Sequence, residues 1–468
     1  MPPARNRRHT QNRRPGGPRK TGRPQDLVRR TAFDVIRAVD TRDAYANLLL
    51  PARLRDRGLT GRDAALATEL TYGTLRGRGT YDAVLALCSD RELRRIDAPL
   101  LDVLRLGAHQ ILATRIPPHA AVGTAVELAR SVSGPGQAKF ANAVLRKVTT
   151  RDMDGWLEIV APAGADPTTR LSIAHSHPKW IVSAMRDAVG KGEIEELLAA
   201  DNARPRVTLV ARPGRATVQE LYDAGAEPAP YSPYAALLPE GDPANIAAVR
   251  DGRAAVQDEA SQIVALALAE APLDGPDTHW ADLCAGPGGK AGLLSAVATE
   301  RGARLLAADI APHRAGLVQR AVDDRAGVVA ADGMAPAWRP GCFDRVMVDA
   351  PCTGLGALRR RPEARWRRGP ESVAELGPLQ RGLLGSALES VRPGGVVAYV
   401  TCSPHMAETR VVVDDVLRGR DDVERLDAPS VLTSLAHDLT GLGNGPYAQF
   451  WPHRHGTDAM FLALLRRT

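Results

Sequence analysis

The sequence predicts a multidomain protein: an all-α N-terminal unit, a small α+β connector, and a C-terminal α/β unit built on a mostly parallel, doubly wound sheet. Three observations predict it. The 468 residues exceed the roughly 100–200 of one ordinary domain. The hydrophobic period changes from helical to a repeated strand–turn–helix texture near residue 251. The strand-like runs after that point are nearly continuous in apolar residues, as in strands covered by helices on both faces.

Residues 1–25 hold eight Lys/Arg and no acid, with Pro and Gly between them, and cannot bury a core; disorder is expected, with an electrostatic arm for phosphates as the functional reading. From 27 to 150, Val28, Ala32, Val35, Ile36 and Val39 fall on one helical face, and Val122, Ala125, Val126 and Ala129 repeat the pattern. Residues 151–170 have the breakers of a linker. Residues 171–250 mix helical LSIAHSHPKWIVSAMRDAV with strand-like RVTLVA, which suggests a small α+β connector, also a candidate RNA-binding region. In 251–468 the strand-like runs are WADLC, RLLAADI, AGVVAADG, FDRVMVDAP and GGVVAYVTCS. Their spacing suits crossover helices, and ligands in such sheets sit at the carboxyl ends of the strands.

Composition excludes several classes. The net charge of +7 is confined to the tail, since removing its eight cations leaves the rest at −1; a nucleic-acid surface on the body must therefore be a local patch. The five cysteines are scattered and form no CxxC pair, which argues against a disulfide framework or a cysteine-rich zinc site, and no metal is expected. No run approaches the roughly 18 apolar residues of a membrane span, and no secretory h-region follows the basic start. A cytoplasmic protein is expected; the oligomeric state is not legible.

Four of these runs reach Asp282, Asp309, Asp332 and Asp349 at their carboxyl ends. One such acid is often a helix N-cap; four in succession point to a ligand crevice, with Asp309 placed for ribose hydroxyls. Asp282 opens Asp-Leu-Cys-Ala-Gly-Pro-Gly-Gly-Lys290, a glycine turn that lacks the GxGxxG fingerprint. Cys352 follows Asp349, and Cys402 ends the fifth run, so both thiols would face the crevice. Cys88 and Cys342 read as small core residues.

DLCAGPGGK, the Asp309/Asp332 pair, DAPCTGLG and TCSP together resemble the RNA 5-methylcytosine methyltransferases that use S-adenosylmethionine. ELTYGTLR and KFANAVLRKV resemble the NusB-type RNA-binding domain, and the combination is similar to the bacterial 16S rRNA cytosine-C5 methyltransferases over about residues 27–468, including VQDEASQ and GTDAMFLALLRR. The sequence departs from that family at Gly286 (usually Ala), Thr353 (often Ser) and Thr409 (usually Asn). The resemblance implies a Rossmann-like methyltransferase fold and S-adenosylmethionine held by Cys284, Ala285, Gly286, Pro287, Gly288, Gly289 and Lys290, with Asp309 on the ribose, Asp332 on the adenine amino edge and Asp349 between cofactor and base. It makes Cys402 the nucleophile, Cys352 the residue that assists product release, and Asp349 the group holding the N3/N4 edge of cytosine, donating to N3 if protonated. Lys290 would contact the base or neutralise a nearby acid.

The run RRRPEARWRR at 359–368 follows the Cys352 loop. Arg359, Arg360, Arg361 and Arg365 would contact RNA phosphates and Trp366 would stack on a base; a solvated charge run is the plainer alternative. The expected partner is RNA, with 16S rRNA, free or in an early small-subunit particle, as the target. Two other readings remain: the same chemistry on tRNA or another RNA, and a non-catalytic RNA-binding or antitermination scaffold. Against the scaffold, Cys402, Cys352, Asp349 and the glycine loop are all present.

Overall fold

The computed structural model describes residues 26–468, so the basic tail lies outside the described residues. Seven α-helices run from Leu27–Arg42 to Pro135–Val148. The first is capped by Asp26, whose side chain accepts from Arg29 N–H, the usual answer to the unpaired donors of a first turn. The apolar stripe read from the sequence is the core: Ala32, Val35, Ile36 and Val39 pack with Val122, Ala125 and Ala129.

Residues 151–170 are not a plain linker. Helix Met153–Val160 buries Trp156 against the helical core, and its indole N–H donates to Val148 O at 2.9 Å. A second helix starts at Pro167 behind an Asp166 cap. The breakers in the sequence mark the turns between short helices, and the burial of one tryptophan decides that they fold.

The connector also divides. Helices Pro167–Ala174, Lys179–Val189 and Ile194–Asn202 form a cluster of Leu171, Ile181, Val182, Met185, Leu197 and Leu198 that closes on Leu355 and Leu358. These helices therefore buttress the chain just after Cys352. The remainder is a four-stranded antiparallel sheet of Val207–Ala211 (β1), Glu227–Pro228 (β2), Ala235–Leu238 (β3) and Ala254–Val256 (β4), ordered β2-β3-β1-β4.

The large sheet contains His279–Asp282 (β5), Arg304–Asp309 (β6), Gly327–Ala330 (β7), Phe343–Asp349 (β8), Val391–Thr401 (β9), Val423–Leu426 (β10) and Phe461–Arg467 (β12), with the short Ala448–Gln449 (β11) beside β12. Its order is β10-β12-β9-β8-β5-β6-β7. From β9 to β7 every neighbouring pair is parallel; β12 lies antiparallel between β9 and β10. Both faces are covered: Val346, Val348, Val397 and Tyr399 enter one core, while Met347, Val396, Ala398 and Val400 enter the other. That alternation is why the strands read as unbroken apolar runs. Cys88 is buried as expected, whereas Cys342 is exposed, because it precedes β8 at the amino edge of the sheet. No described helix is long and apolar enough to cross a membrane.

Candidate active site

β5 ends at Asp282 and the chain turns into helix Gly289–Glu300. Gly288 has φ +111°, a conformation that L side chains rarely adopt, and a Cβ there would lie 3.2 Å from Val318 Cα. Gly286 N–H donates to Asp309 Oδ2 at 3.0 Å, and Asp309 Oδ1 accepts from Ala311 N–H at 2.9 Å. The Arg314 guanidinium donates to Gly286 O and lies 3.3 Å from Asp309 Oδ2. A Cβ at 286 would sit 2.7 Å from Arg314 Nε, so glycine is what leaves room for this arginine. Asp282 accepts from Cys284 N–H at 3.2 Å, but its Oδ2 is buried without a partner. Burial, and then the charge of Asp349, push the Asp282 carboxyl up to about 7. Burial likewise pushes the Cys284 thiol well above its ordinary value.

Asp349 ends β8, and its Oδ2 accepts from Lys290 Nζ at 2.8 Å. Burial works against the lysine charge, but Asp349 more than offsets it, so the ammonium is held above its ordinary value. In this pair Lys290 is the donor and Asp349 Oδ2 the acceptor. Asp332 lies two residues beyond β7, not at its end; it is half-buried and accepts from Met334 N–H at 2.9 Å.

The two thiols meet. Cys352 follows β8 and Cys402 follows β9, and their Sγ atoms are 3.5 Å apart. The contact between the thiols lowers Cys402 below its ordinary value, assisted by the Lys290 charge and opposed by burial; the same contact raises Cys352. Reactivity of Cys402 toward an alkylating reagent is expected to rise with pH through a midpoint below that of an ordinary thiol. In Cys352→Ala the midpoint should move upward, because that contact is gone; mass-spectrometric mapping of alkylated Cys402 across pH measures both.

Glu408 was passed over in the sequence except as the neighbour of Thr409. It is fully buried and accepts from Thr353 N–H at 2.8 Å, Ser403 Oγ–H at 2.7 Å, Gln380 Nε2–H at 3.2 Å and the Thr353 hydroxyl. Residues 353 and 403 each follow a cysteine, so one carboxylate ties both loops together. Thr409 donates its hydroxyl to His405 O at 3.1 Å and takes no part in this clamp. The only signal in the sequence was an acid six residues after Cys402.

The remaining motifs lock these loops from behind. Gly356 N–H donates to Cys402 O at 2.8 Å, and Ala459 N–H donates to Gly356 O at 2.9 Å. Asp458 N–H donates to Asp258 Oδ1 and Oδ2 at 3.2 Å each, and burial, then the Asp458 charge, raise Asp258 to about 6. A Cβ at Gly356 would overlap Ala459 O and come within 2.9 Å of Cys402 O. Both are backbone atoms, so Gly356→Ala should lower stability by roughly 1–3 kcal/mol and displace the thiolate; thermal melting and a methylation assay check this.

A sequence profile described as 16S rRNA methyltransferase RsmB/F matches residues 268–466, and one for the NusB family matches residues 27–150. A Salmonella heidelberg protein named ribosomal RNA small subunit methyltransferase B is 30% identical over 94% of this chain and 99% of its own. The chain belongs to the RsmB/F family of 16S rRNA methyltransferases. A Mycobacterium tuberculosis relative is 53% identical over 96% of this chain and 98% of its own, under a provisional name that says only methyltransferase. Among solved structures, PH0851 shares the fold at a TM-score of 0.77 and 21% identity, covering 96% of this chain and all of its own. NSun6 from Pyrococcus horikoshii with SFG does so at 0.52 and 17%, covering 62% and 98%. As an RsmB/F-family protein the chain is an S-adenosylmethionine-dependent RNA methyltransferase.

In this RsmB/F-family chain the arginine run is not the open RNA-facing strip that the sequence suggested. Arg365 has no exposed surface and is spent on internal carbonyls. Arg360 binds Asp458 at the rear of the Cys402 loop. Arg359 is buried, 3.9 Å from Asp258. Trp366 lies under Arg78, at 5.8 Å from guanidinium carbon to ring centre. Only Arg361 and Arg368 of the run are exposed. The charge run and the helical domain were each legible; that the helical half packs over the run was not. Among the described residues no cluster of His, Cys, Asp or Glu could hold a metal ion.

Proposed function

We propose that the protein methylates C5 of a cytosine in 16S rRNA through a covalent adduct between Cys402 and C6 of the base. The observation that carries this reading is the contact of the two thiols at the carboxyl ends of β8 and β9, beside Lys290 and Asp349. C5 of cytosine is a weak nucleophile. When the Cys402 thiolate adds to C6, the ring electrons move so that C5 becomes electron-rich. S-adenosylmethionine supplies the electrophilic methyl group.

The residues present fit that cofactor: the turn is glycine-built, with Ala285, Gly286 and Gly288 buried and Pro287 exposed, and the buried Asp282 Oδ2 at its start has no hydrogen-bond partner. Cys284 to Lys290 would line its methionine part, Asp309 would take the ribose hydroxyls and Asp332 the adenine amino edge. Asp349, an acceptor in its pair with Lys290, would hold the N4 amino group of the base, while Lys290 stabilises charge beside it. After transfer the C5 proton leaves, the C6–S bond breaks and its electron pair returns to Cys402; Cys352 assists this release. The cytosine must be unstacked for a thiol to reach C6, so a loop or an opened helix is the target. Arg361 and Arg368 remain as candidate phosphate contacts, with the tail outside the described residues.

The test is product analysis. Wild-type protein with methyl-labelled S-adenosylmethionine and unmodified 16S rRNA should yield labelled 5-methylcytidine after digestion. Label in another nucleoside would overturn the chemistry, and label only in a parallel tRNA sample would overturn the substrate.

A further inference from the structure

The side chains of Glu363, Arg365, Trp366 and Arg367 all insert into the helical N-terminal half. Arg365 donates to Arg76 O and Ser176 O at 3.2 Å each, to Asn202 Oδ1 at 2.7 Å and to Asp201 O at 2.9 Å. Arg76 returns a bond to Arg359 O at 3.5 Å. Arg367 donates to Val39 O at 2.8 Å and to Ala44 O, at the end of the first helix. Glu363 accepts from Ala46 N–H at 3.1 Å. A Cβ at Gly79 would lie 2.8 Å from the Trp366 ring, so the indole rests directly on helix Arg78–Cys88. The same segment continues backward through Leu355 and Leu358 to Cys352.

This junction is poorly built for stability alone. Arg76 Nε, Arg359 Nε, Glu363 Oε2, Arg365 Nε, Trp366 Nε1 and Arg367 Nε are buried without hydrogen-bond partners, and the buried His177 Nε2 and Asp201 Oδ2 stand 3.6 Å apart, beyond hydrogen-bond distance. Apolar side chains would seal such a seam at least as well, because a desolvated guanidinium costs much of what its bonds return. What directional bonds to fixed carbonyls supply is orientation, the best-attested use of buried polar groups.

We propose that Arg365 is a positioning residue that fixes the register of the helical domain against the Cys352 and Cys402 loops, so that RNA held by that domain meets the thiolate in one geometry. The proposal rests on the reading of the helical domain as the holder of rRNA. A long RNA that touches both halves depends on the register; a short hairpin carrying only the target cytosine does not. Misplacement by about 1 Å is enough to cost on the order of 10²-fold.

The test compares full-length wild type, Arg365→Met and Arg367→Met, the last as a peripheral variant in case the buried change fails to fold. KM and kcat are measured on intact 16S rRNA and on a hairpin around the mapped cytosine, and amide exchange is followed at residues 44–47. The expected result is a KM for intact rRNA raised about 10- to 100-fold, unchanged hairpin kinetics and unchanged cofactor affinity, with faster exchange at 44–47. A folded variant with unaltered KM on intact rRNA, or an equal loss on the hairpin, would overturn it. If wild type methylates no rRNA, the proposed function fails by itself. The positioning role is then judged by exchange at 44–47 and by rRNA affinity; unaltered values there overturn it as well.

Discussion

Alanine at Cys352 is expected to leave an enzyme that reacts once and cannot let go. Incubated with labelled S-adenosylmethionine and unmodified small-subunit rRNA, Cys352→Ala should accumulate a labelled protein–RNA band that survives denaturant, while wild type turns over without one. Cys402→Ala should give no band and lower methyl transfer by at least about 10⁴-fold, the scale seen when a covalent nucleophile is removed. The asymmetry follows from the proposed roles: the thiols touch, Cys402 forms the bond to C6, and Cys352 is needed only to release it. A stable band from Cys402→Ala instead would reverse the two roles.

The second large effect concerns a residue that would never touch substrate. Glu408→Ala removes the acceptor of four donors at once, from Thr353, Ser403 and Gln380. Each buried donor left unpaired costs about 1–3 kcal/mol, so a loss of roughly 3 kcal/mol or more in stability is expected. In protein that still folds, the separation of the two thiols is no longer fixed, and kcat should fall about 10²-fold while cofactor affinity holds. Glu408→Gln keeps the acceptor Oε1 and should recover part of both losses. Calorimetry and single-turnover methylation distinguish these outcomes, and an unchanged kcat in Glu408→Ala would show that the clamp is not needed.

The architecture was largely legible because it is written in periodicity. The stripe at Ala32, Val35, Ile36 and Val39 is a helix face wherever it occurs, and the runs around Val346 and Val397 demand cover on both sides. Three of the four strand-end acids stand where the pattern put them; Asp332 overshoots because β7 stops at Ala330. The site was legible as far as single loops carry it: the glycine turn, Asp349, Cys352 and Cys402. What failed depends on residues distant in sequence. Glu408 gathers partners from positions 353, 380 and 403, and no local pattern announces such a meeting. Arg365 resembles a solvent-facing cation until Arg76, Ser176 and Asp201 close over it. Trp156 hid among turn residues, and its burial against Val148 turned an apparent linker into packed structure.

β12 follows both β9 and β10 in the chain, yet it is threaded between them, and the residues leading into it, Asp458 and Ala459, hold the rear of the Cys402 loop. During synthesis, the glycine turn, both cysteines and Glu408 have all been made before the strand that seats them is available. A chain made only as far as Glu408 lacks Asp458 and Ala459, and with them the bonds to Asp258 and Gly356 that support the Cys402 loop from behind.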